Sequence, residues 1–337
     1  MVTIADIAGK LGYSTATVSN ALTGKGRVSE KRRKEILEAA ESMGYDFTRI
    51  RSGQRTRSIA VVVEQIGVCF CDRIIQGVCA EAEDKGFCVT LYHLNLLNRT
   101  GWKQNPPQHV MKAELQKALD RLDASCVGMI YISQYTRDLS GLFTALPVPA
   151  VCTYAYANDG VPSVFYDDQQ GAFLATRHLA SIGRKRIAMI SGLVDSIPMT
   201  RRFAGYQRAL IEAGLTFSPD YIKIGSWSIE CGEREMKNLL SLRPCPDAVF
   251  CQNDWIGIGA LRAVKQAGLR VPEDIAIVGF DNLDVSETSD PPLTTISPPL
   301  TEIGREAVKK LMQILNRDSA AKEDVKLPCA LFSRGST

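Results

Sequence analysis

The chain has 337 residues, 45% hydrophobic and 23% charged, which suits two or three packed domains and excludes a disordered or fibrous protein. Its net charge is only +3, but residues 1–58 hold eleven basic and six acidic side chains, against 29 and 31 in the remainder. No apolar run reaches membrane-spanning length, and the N-terminus lacks the basic-then-apolar pattern of a secretory signal, so a cytoplasmic protein is expected. The ten cysteines include Cys69-Phe-Cys71 but no Cys-x-x-Cys pair. They read as reduced core residues.

Residues 3–24, TIADIAGKLGYSTATVSNALTG, contain two short helical patterns. The first runs from Thr3 to about Leu11, with Ile4, Ile7, Ala8 and Leu11 on one face, and Gly12 ends it. Ser14 is placed to cap a second helix from Thr15 to about Leu22, with Val18, Ala21 and Leu22 facing inward. Its outer face carries Thr15, Thr17, Ser19 and Asn20. A helix-turn-helix presents such a face to the DNA major groove, although a small helical hairpin without a partner would look alike. Val28 and Ser29 open a third helix, SEKRRKEILEAAESMG, whose apolar stripe is Ile36, Leu37, Ala40 and Met43. Lys31, Arg32, Arg33 and Lys34 in its first turns suit either a solvated face or phosphate contact. The segment from Asp46 to Ser58 has four arginines and no acid after Asp46, the composition of a linker lying against DNA.

From Ile59 short Val- and Ile-rich runs alternate with amphipathic helical patterns: IAVVV, FCVTLY, GMIYI, PAVC, SVFY, RIAMI, YIKIG, DAVF and DIAIVGF. Such alternation predicts parallel sheets covered by helices. The strands are too many for one sheet, so two α/β halves dividing near residue 160 are expected. Residues 93–110 read as a long irregular loop. The late helix TEIGREAVKKLMQIL is expected to cross back to the first half.

Ligands of open parallel sheets bind beyond the carboxyl ends of the strands. Asp167 and Asp168 follow SVFY, Asn253 and Asp254 follow DAVFCQ, and Asp281 and Asn282 follow IVGF. Trp227 follows YIKIG, and Arg202 opens the helix after SGLVDSIPMT. Carboxylate, amide and guanidinium around an aromatic plane suit a polyhydroxylated ligand, though Asp and Asn at strand ends are also common helix caps. The three histidines, His93, His109 and His178, form no catalytic constellation, and neither a phosphate-binding glycine loop nor a nucleophile elbow is present. No catalytic residue, cofactor or metal site is expected.

Over nearly its full length the chain resembles the LacI/GalR family of bacterial transcription regulators. The motifs are TIADIAGKLGYSTATVSNALTG, VSEKRRKEILEAAESMGY, RRFAGYQRAL, VFCQNDWIGIGALRAVKQAGLRVPEDIAIVGFDN, PPLTTI and SRGST. The resemblance implies an all-α helix-turn-helix head (1–45), a hinge linker (46–58) and an α/β periplasmic-binding-protein-like body with two parallel-sheet lobes (59–337). The N-lobe would comprise about 59–161 and 291–320, the C-lobe about 162–290 and 321–337. It further implies a repressor that binds a palindromic double-stranded operator as a homodimer, with a carbohydrate-like small-molecule effector between the lobes and no membrane partner. The expected DNA-facing residues are Thr3, Ser14, Thr15, Ala16, Thr17, Ser19, Asn20, Ile50 and Arg51, with Thr15, Ala16 and Asn20 at the main base contacts. Many members carry Arg where Asn20 stands; Arg favours guanine and Asn adenine. Ile50 takes the position of the minor-groove wedge, in a segment about three residues shorter than the family pattern. The expected effector contacts are Phe70, Tyr166, Arg202, Trp227, Asn253 and Asp281. No leucine heptad follows the last α/β element, so no tetramerising tail is expected. Two alternatives share these features: a solute-binding protein of a transporter, and a regulator driven by a protein partner.

Overall fold

Thr3 starts the first helix, α1 (Ile4–Leu11), through a reciprocal pair: its hydroxyl accepts from the Asp6 amide, and the Asp6 carboxylate accepts from the Thr3 amide at 2.8 Å. In the computed structural model, which describes residues 2–24, 26–45, 57–67, 70–100 and 106–337, α1 ends at Gly12. There φ is +69°, which glycine adopts without a side-chain clash. The Ser14 hydroxyl then accepts from the Thr17 amide at 3.1 Å and opens α2 (Thr15–Thr23). The third helix, α3 (Glu30–Ser42), starts at Ser29 without a side-chain cap bond. Ile7, Ala8, Val18, Ala21, Ile36, Ala40 and Tyr45 close a small core among the three. Arg33 is not a free surface cation: its Nε donates to the Ala21 carbonyl at 3.2 Å and ties α3 to α2.

Residues 1–57 and 58–337 form two compact units. The larger unit contains two six-stranded sheets of the same order. The N-lobe sheet runs β2 (Cys88–His93), β1 (Ser58–Val63), β3 (Cys126–Ile132), β4 (Ala150–Thr153), β5 (Ser163–Tyr166), β11 (Val325–Leu327). The C-lobe sheet runs β7 (Ile222–Ile224), β6 (Ile187–Ser191), β8 (Ala248–Cys251), β9 (Ala276–Phe280), β10 (Thr294–Ser297), β12 (Ala330–Phe332). The pairings are parallel except β10 with β12. Strand β1, SIAVVV, is buried along its whole length, as a central parallel strand must be.

Helices cover both sheets. In the N-lobe α4 (Cys71–Asp84) packs against α12 (Leu300–Leu315), which follows the short α11 (Asp284–Thr288). They approach so closely that a Cβ at Gly77 would fall 1.9 Å from the Thr301 carbonyl oxygen. In the C-lobe α7 (Asp168–Ser181) packs against α8 (Ile197–Glu212), and α9 (Ile229–Leu240) against α10 (Asp254–Gln266).

Several expectations need correction. The run SVFY (163–166) lies in the N-lobe sheet beside β4, to which a short connection holds it, with Cys152 donating to the Pro162 carbonyl. The chain crosses between lobes only after Tyr166. Thr294–Ser297, expected in the N-lobe, pairs with β9 in the C-lobe. The second crossing follows at Pro298 and Pro299, and α12 returns to the N-lobe as expected. Residues 321–337 are divided, β11 joining β5 and β12 joining β10. The stretch 93–110 is not an irregular loop throughout: α5 (Leu96–Thr100) buries Leu96, and α6 (Gln108–Leu119) begins before residue 110. Ile50 and Arg51 of the linker lie outside the described residues, as does Cys69.

Candidate functional site

In the head, Thr15, Ala16 and Asn20 are exposed along α2, while Thr17 and Ser19 are half-buried. Ser14 and Thr17 bond to each other through their hydroxyls at 2.8 Å, and the Thr3 hydroxyl is held by Asp6 at 2.7 Å. These three residues position the helices, which leaves Thr15, Ala16, Ser19 and Asn20 without such a local task, and of these Thr15, Ala16 and Asn20 are exposed.

In the body, a cavity of about 810 Å³ opens at the carboxyl ends of both sheets. Phe70, Arg202, Trp227, Asn253 and Asp281 line it; Tyr166 does not. Tyr166 is 2% exposed and lies behind the wall, its hydroxyl accepting from Arg202 at 3.0 Å and lying 3.3 Å from the Tyr154 hydroxyl. Sequence reasoning missed Gln134, Tyr135 and Arg137 after β3, Tyr154 after β4, Ser196 before α8 and Pro198 in its first turn, Ser226 and Ser228 before α9, and Trp255 in α10, all of which line the cavity. The strand-end rule that found Asn253 and Asp281 would have found Gln134, Tyr135 and Tyr154 as well.

Arg202 stands at the base. It is 2% exposed, and its Nε donates to Asp168 Oδ1 at 2.7 Å. One terminal nitrogen donates to the Gln252 carbonyl, and the other to Tyr166 and to Asp281 Oδ1 at 3.4 Å. The guanidinium carbon lies 3.6 Å from the centroid of the Phe280 ring. Burial disfavours its charge, but Tyr166, Asp168 and Asp281 outweigh that and hold it firmly protonated. Burial also pushes the Asp168 and Asp281 carboxyls upward, with Arg202 opposing the shift. Behind them Asp254 accepts from Thr295 at 2.5 Å and from the Leu283 amide at 2.7 Å; burial raises its pKa to about 7 against these bonds. Asp281 has φ of +105° and Asn282 +51°, a left-handed backbone that costs strain in non-glycine residues and is typical of ligand-contacting turns.

Asn253 caps α10, its side-chain oxygen accepting from Ile256 at 2.8 Å, and its amide nitrogen donates to the Trp227 carbonyl at 3.2 Å. Trp227 lies flat on the backbone of Gly192, where a Cβ would fall 2.1 Å from the ring. On the N-lobe side Glu64 is fully buried. It accepts from the Tyr131 hydroxyl at 2.7 Å, the Gln134 amide at 2.8 Å and Arg137 at 2.5 Å. Phe70 meets Tyr154 edge-on, with centroids 5.8 Å apart.

Residues 3–46 match the model of bacterial regulatory proteins of the lacI family, and residues 176–337 match a periplasmic binding protein-like domain. The HTH-type transcriptional repressor CytR of Escherichia coli (strain K12) is 34% identical over 99% of this chain and 96% of its own length. The chain belongs to the LacI family of bacterial transcriptional regulators. Among solved structures, the lac repressor dimer bound to operator and the anti-inducer ONPF is similar with a TM-score of 0.76 and 25% identity, over 100% of this chain and 99% of that one. The CelR–cellobiose complex is similar with a TM-score of 0.69 and 26% identity, over the whole of both chains. The chain is thus a ligand-responsive, DNA-binding regulator and not an enzyme. Its helix-turn-helix head separates it from a transporter's solute-binding protein. Among the described residues no group of acids, histidines and cysteines could hold a metal, and no helix is long and apolar enough to cross a membrane.

Proposed function

We propose that this LacI-family member is a repressor whose homodimer reads a palindromic operator through Thr15, Ala16 and Asn20, and whose effector is a sugar or sugar derivative bound in the cleft between the lobes. The observation that carries the effector reading is the cavity itself, where Trp227, Asn253 and Asp281 surround the Arg202 network. An indole packs on the apolar face of a pyranose, while carboxylate and amide groups orient its hydroxyls. The CelR–cellobiose complex, similar over its full length, supports the same class.

The test is fluorescence anisotropy with a palindrome from the protein's own promoter region. Binding falls steeply as salt rises, because phosphate contacts release counterions. Asn20→Ala loses discrimination at one symmetric base pair, by about 1–3 kcal/mol per contact. A sugar panel added to the preformed complex shifts the operator affinity, and the sign of the shift reads inducer or corepressor. An operator affinity that no palindrome raises above that of random DNA rejects the reading.

A further inference from the structure

A cleft that holds a charged effector needs a countercharge not already spent. Among the described residues lining the cavity the cations are Arg137 and Arg202, and each is consumed inside the protein. Arg137 lies 2.5 Å from Glu64 Oε1. Glu64 cannot follow a ligand outward without abandoning Tyr131 and the Gln134 amide. Arg202 sits between Asp168 and Asp281. With Asp281 ionised that wall carries one net negative charge; with Asp281 protonated it is neutral. It is positive only if both Asp168 and Asp281 are protonated, which the Arg202 cation beside them opposes.

Three helices, α8, α9 and α10, present their N-terminal residues Ser196, Ser228 and Asn253 to the cavity, an arrangement that by itself favours anions. Here each cap side chain already accepts from its own first turn, at Met199, Cys231 and Ile256. Pro198 removes a donor from α8, and Glu230 and Asp254 place acids in the first turns of the other two. The positive helix ends are offset before any ligand arrives. Beside them stand five rings, Phe70, Tyr135, Tyr154, Trp227 and Trp255, and uncharged side chains such as Gln134 and Leu193.

Granted the effector reading above, we infer that the cleft selects an uncharged, ring-faced molecule bearing hydroxyl or amide groups, and rejects phosphate esters and carboxylates of the same skeleton. The rings contact the flat faces, and Asp281 and Asn253 take the hydroxyls or amides. A phosphate or carboxylate would leave water without a partner charge, a cost that ring contacts do not offset.

The experiment is isothermal calorimetry on the full-length protein with matched pairs: glucose and glucose 6-phosphate, ribose and ribose 5-phosphate, galactose and galacturonate, cellobiose and cellobiuronate, uridine and uridine 5′-monophosphate. Binding is expected in at least one neutral member, with its charged partner weaker by tenfold or more. Glu64→Gln, which leaves Arg137 without its countercharge, narrows that ratio; if the variant does not fold, Asp281→Asn removes acid from the opposite wall and narrows it in the same direction. A charged member that binds wild-type protein as tightly as its neutral partner overturns the inference while leaving the effector reading intact. If no member of any pair binds and the operator is still bound, the effector reading fails and takes this inference with it.

Discussion

The two lobes share one strand order and differ in the direction of the last strand, yet their cleft walls are built differently. In the N-lobe Arg137 meets one carboxylate, Glu64, and the group is completed by Tyr131 and the Gln134 amide of the same lobe. In the C-lobe Arg202 is shared by two carboxylates and reaches Tyr166, which belongs to the N-lobe sheet. One network is closed within its lobe; the other spans the division. The same strand order therefore yields a self-contained wall and a wall that registers where its neighbour stands. A ligand touching the second acts on both lobes.

Arg202→Ala is the severest way to break this contrast. It leaves Asp168 and Asp281 buried without a cation, and removing one partner of a buried pair costs about 3–5 kcal/mol. Urea unfolding measures that loss, and operator titrations on the folded variant are expected to show no response to effector. Glu64→Gln tests the other wall. A glutamine oxygen can accept from Tyr131 or from the Gln134 amide but not from both, and Arg137 loses its one countercharge, so a loss at the low end of the same range, about 3 kcal/mol, is expected, with effector response retained. Loss of effector response in both variants would refute the contrast.

The third acid of the C-lobe, Asp254, sharpens it further, since burial raises its pKa from 3.8 to about 7. Between those values the folded protein holds a proton that the unfolded chain has released. Stability therefore falls as pH climbs from about 4 to 7, by up to about 1.4 kcal/mol per pH unit. The same slope is reinforced by Asp168 and Asp281, which shift in the same direction. Melting temperatures across this range are expected to decline less steeply in Asp254→Asn. The mildest change is Asn253→Ala, which removes one helix cap and the tether on the Trp227 carbonyl. It should cost about 0.5–2 kcal/mol and weaken effector binding several-fold by calorimetry.

How much of this was legible follows from the range of the interactions. The head is written locally: Thr3, Gly12 and Ser14 each act within four residues, so its helices could be placed from the residues alone. In the body the apolar runs marked most strands, but SVFY reads identically in either sheet, and only its pairing with Cys152 and Val325 assigns it. Strands β10, β11 and β12 were missed because three or four residues between prolines and charges carry no periodicity. Asp168 was singled out as a strand-end acid; its task as the buried counterion of Arg202, 34 positions away, has no local trace. Glu64 drew no notice, since its partners come from β3 and the turn after it.

The final strands of both sheets, Val325–Leu327 and Ala330–Phe332, are separated by two residues and are synthesised after every other strand and helix of the body. Until they emerge each sheet has an open edge, and Ser163 and Thr294 lack the bonds they later make to Asp324 and Ser336. Neither lobe can finish ahead of the other on the ribosome. The growing chain must protect two unfinished edges at once, and completion of both comes within a few residues of translation.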